Sequence, residues 1–349
     1  MAISAGASNM RDRSLVQELI YEQGMKMYFS KMGQISMLEE GKQTIILRKK
    51  DLKKKSGEYV RVPFSPMLTD APIIGDREAE GNEEEMDLYT QDVYIDQVRK
   101  PVRLKGDMDE KKVAYNMRMQ AKHSISTYLS RFTEKDLFYK ASGILTATDE
   151  IRFANTPTAP SSYRNLFGGD ATEVADIDSA DKMSLDLISR CKVKATTEVA
   201  GVPVMPELDL PNNVKYVMFC HPYQIYDLKR DPEWNANQRE AAVRGIDNPL
   251  FKGSPGMHDG VLIVEHPFVQ TFSTWGGGGV TTGARALFMG ANAILLAEGR
   301  DPKWVEKSLD YDNKWSICSG LIYGLQKTKF NSIDYSIISA DTYIADPNA

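Results

Sequence analysis

One apolar repeat constrains the fold of this chain more than any other feature, and it lies between Asp107 and Gly143. Apolar side chains recur there at every third or fourth position: Val113, Met117, Ala121, Ile125, Tyr128, Leu129 and Phe132. Asp107 with Glu110 forms a capping pattern, and Gly143 suits the residue after a last helical turn. An unbroken helix of about 35 residues would extend about 50 Å at 1.5 Å per residue. Such a helix, running from about Met108 to beyond Phe132, favours an elongated molecule with a spine over a compact domain.

Two strand patterns precede this helix and enclose a polar segment. Tyr59 to Phe64 is rich in aromatic and branched residues, and so is the stretch from Leu88 to Leu104. The connection between them is too long for an ordinary turn. We therefore predict a long β-hairpin over residues 57–106 whose tip contacts a neighbouring subunit. A solvated loop is the alternative, and charged segments usually have that role.

Two opposed blocks of charge lie in the same region. The basic block has six cations within residues 48–55, and the acidic block has seven carboxylates within residues 76–87. In a closed ring of subunits, a base on one copy can meet an acid on the next copy. The candidate inter-subunit contacts are Lys53, Lys54, Lys55, Glu83, Glu84 and Glu85. Two alternatives stay open, namely that the blocks pair across the hairpin base of one subunit or stay solvated.

The rest of the chain indicates an α+β fold. A helix pattern covers residues 14–33, and residues 144–178 have the composition of an extended loop. Beyond that loop, helices are predicted at 180–194, from Pro222 towards Arg230, and at 231–243. Strands are predicted at 214–220, 260–265 and 284–290, and the region 316–344 is strand-like throughout.

Bulk properties exclude several classes of protein. No apolar run approaches the roughly 18 residues of a membrane span, and residues 1–10 lack the pattern of a secretion signal. The net charge of -5 argues against a dedicated nucleic-acid binder, although a protein that merely encloses DNA remains compatible with it. The three cysteines, at 191, 220 and 318, have neither metal-site nor disulfide spacing, so free thiols in a reducing cytoplasm are expected.

No motif for catalysis, a cofactor or a metal is recognisable. The glycines at 276–279 lack the Lys-Ser/Thr of a phosphate-binding loop and indicate a hairpin tip. The four histidines (His123, His221, His258 and His266) lack metal-ligand spacing, and His258-Asp259-Gly260 has the composition of a turn. A Cys-His nucleophile pair assembled by folding is a less favoured alternative. The sequence therefore favours assembly over catalysis, with no cofactor.

Several segments resemble major capsid proteins of N4-like podoviruses, which are tailed bacteriophages. The most specific run extends from Asn248-Pro249-Leu250-Phe251-Lys252-Gly253 through Asp259-Gly260-Val261 to Glu265-His266. Weaker matches in the same order are Leu15 to Leu19, Tyr94 to Gln97, Val102-Arg103 with Gly106, Ala121-Lys122, Pro157 to Pro160, Val217 to Leu228, and Trp234 with Gln238. These matches are scattered over most of the chain.

The resemblance implies the HK97-like capsid fold of tailed phages and the herpesvirus shell floor. It implies five regions: an N-terminal arm (1–40), the E-loop hairpin with flanking strands (41–106), the spine helix and extended loop of a peripheral domain (107–178), an inserted axial domain (179–304) and C-terminal strands of the peripheral domain (305–349). The implied function is self-assembly, as hexamers and pentamers, into the icosahedral shell that encloses phage double-stranded DNA. The virion would be assembled in the bacterial cytoplasm.

The resemblance also implies partners other than the chain itself. The sequence shows no long helical N-terminal extension that would act as a built-in scaffold, so a separate scaffolding protein is expected. A portal and a cementing protein complete the expected set, and no membrane is involved. The remaining hypotheses are a hydrolase or metal enzyme with an unrecognised motif, and another virion protein of the tail or baseplate.

Overall fold

The computed structural model describes most of the chain after residue 43. The described residues are 44–53, 56–64, 72–75, 80–81, 83, 89–112, 116–143, 154–197, 199, 202–208, 214–240 and 256–347. The helix predicted over residues 14–33 and most of the predicted hairpin tip lie outside them. So does the whole segment 248–253, on which the capsid resemblance partly rests.

The described elements are a mixture of helices and strands. The helices are α1 (Asp107–Lys112), α2 (Met117–Ser142), α3 (Leu185–Thr196), α4 (Pro222–Leu228) and α5 (Pro232–Glu240). The first eight strands are β1 (Ile46–Lys49), β2 (Tyr59–Phe64), β3 (Tyr89–Tyr94), β4 (Asp96–Arg103), β5 (Asn165–Phe167), β6 (Tyr216–Cys220), β7 (Met257–His258) and β8 (Val261–Glu265). The others are β9 (Thr271–Trp275), β10 (Thr281–Met289), β11 (Ile294–Leu309), β12 (Lys314–Lys327), β13 (Lys329–Phe330), β14 (Ile333–Asp334) and β15 (Ile337–Tyr343).

Two larger sheets organise these strands. A four-stranded sheet has the order β1-β11-β12-β4, in which β1 is parallel to β11 and the other pairs are antiparallel. A seven-stranded mixed sheet has the order β5-β15-β10-β6-β8-β7, and β9 pairs with β10 beside this path. The two sheets do not follow the domain boundary predicted between residues 304 and 305. The strand β11 spans that boundary, and β15 pairs with β10 inside the seven-stranded sheet rather than joining the other C-terminal strands.

The central strands of the seven-stranded sheet are buried on both faces, which explains the continuous apolar run of β6. All five residues of β6 are buried. Alternate side chains of a strand point to opposite faces. Val217 and Phe219 accordingly join the core cluster that contains α2, and Tyr216 and Met218 join the cluster that contains α3.

The spine helix is shorter than the sequence predicts. The predicted helix from Asp107 to Gly143 is divided into α1 and α2, because Asn116 caps a new helix by accepting hydrogen bonds from the backbone N–H groups of Arg118 (3.0 Å) and Met119 (3.2 Å). The predicted end is confirmed, since Gly143 adopts the left-handed conformation (φ 72°) and donates its N–H to the Tyr139 carbonyl.

The apolar repeat predicts burial of Val113, Met117, Ile125 and Leu129, and this is confirmed in part. Ile125 and Leu129 are buried, Met117 is partly buried against the same core, and Tyr128 is exposed. The side chain of Val113 lies outside the described residues.

The paired strands of the predicted hairpin are confirmed. β2 and β3 are antiparallel, with Tyr59 opposite Tyr94 and Phe64 opposite Tyr89. The second strand is not continuous, because the chain leaves the hairpin at Ile95 and continues as β4 in the four-stranded sheet. Asn155 holds this crossover by bonding both backbone polar groups of Tyr94, at 3.1 and 2.8 Å.

Two predicted turns are also confirmed. The glycines at 276–279 connect β9 to β10, and Gly276 (φ 77°) and Gly279 (φ 64°) both have positive φ. Asp259 (φ 49°) and Gly260 (φ 76°) form the turn between β7 and β8. Both turns use the backbone region that glycine and aspartate tolerate.

Candidate assembly surfaces

The hairpin β2–β3 is anchored to its own chain through one face. Val60, Val62 and Val93 are buried and form a small core with Leu295 and Ala297 of β11. Tyr59, Arg61 and Pro63, which alternate with them, are exposed. The period-2 pattern of β2 therefore gives the hairpin one anchored face and one exposed face.

An ion pair stiffens the exposed face of this hairpin. The Arg61 guanidinium donates two hydrogen bonds to the Asp92 carboxylate across the strands, at 2.7 and 2.9 Å. The pairing lowers the pKa of Asp92 below its ordinary value, chiefly through the hydrogen bond from Arg61. Because both groups are exposed, solvent screens the pair, and its main effect is to fix the strand register.

The far end of the described hairpin also contacts its own chain. The Tyr89 ring lies 4.7 Å from that of Phe330, and the Phe64 ring lies 5.9 Å from that of Tyr335. Gln91 donates to the Lys327 carbonyl at 2.9 Å. Both strands are therefore held in place up to the point where residues 65–88 connect them.

The basic block is partly neutralised within the subunit. The Lys53 ammonium lies 2.6 Å from one carboxylate oxygen of Glu298 and also pairs with Asp301. Arg48 pairs with the other carboxylate oxygen of Glu298. Glu298 is fully buried in β11, so two cations offset the cost of burying its charge. Sequence analysis missed Glu298, although a single carboxylate in the apolar run Ile294-Leu-Leu-Ala-Glu298 is a signal for a buried ion pair.

The other candidate contacts are mostly outside the described residues. These are Lys54, Lys55, Glu84 and Glu85. Glu83 is exposed, and its carboxylate accepts a hydrogen bond from the Gly81 N–H at 2.7 Å. Among the described members of the two blocks, no basic residue pairs with an acidic one.

Buried polar contacts fix the spine helix to both sheets. Arg285 of β10 donates to both carboxylate oxygens of Asp341 (2.7 and 2.8 Å) and to the Ser142 carbonyl at the end of α2 (2.9 Å). Near the same end, Asp136 accepts from the Tyr323 hydroxyl of β12 at 3.2 Å. Burial raises the pKa of Asp136 to about 6, although Lys140 at 3.4 Å opposes this shift. The C-terminal end of α2 is therefore fixed to both sheets.

The four histidines have separate contacts, although His123 and His221 both line an open cleft beside α2. His221 caps α4 in a reciprocal capping box with Gln224, and His266 is buried 3.3 Å from Glu134 and stacked on Phe138. His258 lies 3.2 Å from the Ser189 hydroxyl, but no described carboxylate orients its ring as a catalytic triad requires. His123 is exposed on α2.

The described part of the chain contains no grouping of three or more side chains suited to hold a metal ion. Burial raises the pKa of the Cys191 thiol to about 12 and raises that of Cys220 further, so neither is a nucleophilic thiolate near neutral pH. Of the described helices, none is both long enough and apolar enough to cross a membrane.

Comparison with known proteins gives one consistent result. A sequence profile described as phage capsid protein matches residues 16–345. The major capsid protein of Pseudomonas phage KPP25 is 30% identical over 307 residues, which cover 80% of each chain. The capsid of Ralstonia phage GP4 superposes with a TM-score of 0.78 at 32% identity, covering 90% of this chain and 91% of that chain. The capsid of cyanophage Pam1 has a TM-score of 0.75 at 20% identity, with coverage of 88% and 91%.

Proposed function

Because this chain belongs to the phage capsid protein family, we propose that its β2–β3 hairpin reaches a neighbouring copy and sets the order of subunits in the shell. The chain is a major capsid protein with the HK97-like α+β fold, and it forms the capsid shell of a phage virion from multiple copies. Membership of a structural family indicates a non-enzyme.

The observation that carries the hairpin's role is its register. Phe64 pairs with Tyr89, so residues 65–88 connect the two ends of the hairpin. Connections of this length inside a compact domain are uncommon unless they have a function. The described strands are anchored on one face only, which leaves the other face and the connecting segment to contact another copy.

The remaining proposals concern the two domains, the shell and its partners, and the family branch. The four-stranded sheet with α2 corresponds to the peripheral domain, and the seven-stranded sheet corresponds to the axial domain. Hexamers and pentamers would close an icosahedral shell around double-stranded DNA in the host cytoplasm, with a separate scaffolding protein, a portal and a cementing protein. The run from Asn248 to His266 supports placement in the N4-like branch.

Electron microscopy of the expressed full chain tests the shell and the hairpin together. The wild-type chain is expected to form closed shells, alone or with its scaffolding protein. A variant in which a short Asn-Gly turn replaces residues 66–87 should keep its circular dichroism spectrum but form no shells. The hairpin proposal fails if that variant still builds shells. A wild-type chain that forms tubes or small uniform oligomers would instead indicate a tail component or an enzyme.

A further inference from the structure

A cleft runs along the exposed side of the spine helix. Its volume is about 830 Å³, and it lies between α2 and the segment 267–271 that joins β8 to β9. From the helix, His123, Tyr128, Arg131 and Lys135 contribute to its wall. The positions 123, 127, 131 and 135 share one face because they are spaced by about one turn. This cleft is not part of the hairpin or of the two charge blocks.

The charged side chains that line the cleft are all basic. Among the described residues, none of the side chains that line it is acidic. The two carboxylates of α2 are buried and have other contacts: Glu134 lies 3.3 Å from the His266 imidazole, and Asp136 accepts a hydrogen bond from the Tyr323 hydroxyl. Arg131 and Lys135 are exposed, and no described carboxylate forms an ion pair with either. In a chain of net charge -5, this local excess of cations is a distinct feature.

Aromatic rings hold the cations of the cleft in place. The Arg131 guanidinium lies 5.8 Å from the centre of the Phe268 ring, and the Lys135 ammonium lies 5.3 Å from that of Tyr139. At the rim, the ammonium of Lys100 on β4 lies 4.3 Å from the centre of the Tyr128 ring. Contacts of this kind stabilise a cation without neutralising it. The three charges therefore stay available to an anionic ligand.

We propose that this cleft binds the phosphate backbone of the nucleic acid that the capsid encloses. Arg131 and Lys135 lie one helical turn apart, about 6 Å along the helix axis, so both can face the same stretch of a strand that carries one charge per about 3.4 Å of duplex axis. Contacts from arginine and lysine to phosphate carry no sequence information, so the binding is independent of sequence. The inference rests on the proposed enclosure of double-stranded DNA, and it gives the spine helix a role besides holding the subunit together.

The test is salt-dependent binding of a short fluorescein-labelled DNA duplex to the soluble full chain, followed by fluorescence anisotropy. The cleft variant is Arg131→Gln with Lys135→Gln. The matched control is Lys229→Gln with Arg230→Gln, because this pair is also exposed and Arg230 also lies over an aromatic ring, that of Tyr226 at 4.5 Å. The cleft variant should weaken binding severalfold and reduce the slope of log K against log salt by about 2. The control should leave the slope unchanged.

Three outcomes would overturn the proposal. The first is an unchanged slope in the cleft variant, and the second is an equal loss in the control, which would indicate unspecific attraction. The third is that a polyglutamate peptide, but not the duplex, loses affinity in the cleft variant, which would assign the cleft to an acidic protein segment. Electron microscopy of the same variants separates this result from the shell proposal, since normal shells with unchanged DNA binding would contradict the cleft alone.

Discussion

Burial decides which of the three cysteine side chains can react. Cys191 and Cys220 are fully buried in the cluster between α3 and the seven-stranded sheet, and Cys318 on β12 is partly exposed. Desolvation raises the pKa of both buried thiols, and access to them is closed. We expect one fast-reacting thiol per native soluble subunit and three after unfolding, as counted with Ellman's reagent. Cys318→Ser should abolish the fast phase, and a fast phase that persists in this variant would contradict the packing around α3.

The buried ion pair between Lys327 and Asp334 is a second feature at the residue scale. Its atoms lie 2.8 Å apart, and each side chain is 1% exposed. Asp334→Ala should destabilise the subunit by about 3–5 kcal/mol in urea unfolding, because it leaves the Lys327 ammonium buried without its partner. Adding Lys327→Met should recover most of that loss.

An exposed pair provides the control for this substitution. Lys215 and Glu207 also lie 2.8 Å apart, but their side chains are 39% and 44% exposed. Glu207→Ala should cost less than about 1 kcal/mol. Similar losses at the two sites would mean that burial does not decide the strength of the Lys327–Asp334 pair.

The same lysine gives the stability a pH dependence. Burial lowers the pKa of Lys327 to about 8 from 10.5, against the opposing effect of Asp334. Between these values the unfolded chain binds more protons than the folded chain, so the free energy of unfolding should increase as pH rises. We expect the wild type to gain up to about 2 kcal/mol relative to Lys327→Met between pH 7.5 and pH 9.5. Parallel pH profiles of the two proteins would rule out this titration.

At the scale of elements, the spine helix shows which features of the fold the sequence predicts and which it does not. Its pattern correctly predicted that Ile125 and Leu129 are buried and that the helix ends at Gly143, but Tyr128 of the same repeat is exposed. It did not predict the break at Asn116, because one internal cap leaves the period of the apolar residues unchanged. Likewise, the pattern of β15 predicted a strand but not its place beside β10, since strand pairing depends on contacts distant in sequence.

The buried face of α2 can be tested by one substitution. Leu129 is fully buried, so Leu129→Asp places an uncompensated charge in the core and should abolish the soluble subunit. Met119 on the same helix is 69% exposed, so Met119→Asp should be tolerated within about 0.5 kcal/mol. The measurement is the yield of soluble protein and its unfolding midpoint in urea. Soluble, stable Leu129→Asp would place the core on another face of the helix.

For the whole molecule, the two charge blocks are the proposed contacts between one subunit and the next in the shell. Lys53 and Arg48 hold the buried Glu298 inside their own subunit, so their charges are already partly offset there. Sequence alone did not predict this pairing, since Glu298 is far from the basic block along the chain. The proposed contact between copies therefore rests on Lys54 and Lys55 against Glu83, Glu84 and Glu85.

The last prediction concerns this contact and uses reversal of charge. Replacing Glu83, Glu84 and Glu85 by Lys should block assembly at low salt, because like charges would then meet at every repeated interface. A single exposed pair contributes only about 0–1 kcal/mol, but a closed shell repeats the contact at each interface.

Reversing Lys54 and Lys55 to Glu in the same chain should partly restore shells, as judged by electron microscopy and sedimentation. Lys53→Glu is the informative control, since it places a carboxylate beside buried Glu298 and should destabilise the subunit whatever the state of the acidic block. If the triple lysine variant builds normal shells at low and moderate salt alike, the blocks are solvated surface, and the order of subunits must come from the apolar and backbone contacts of the hairpin.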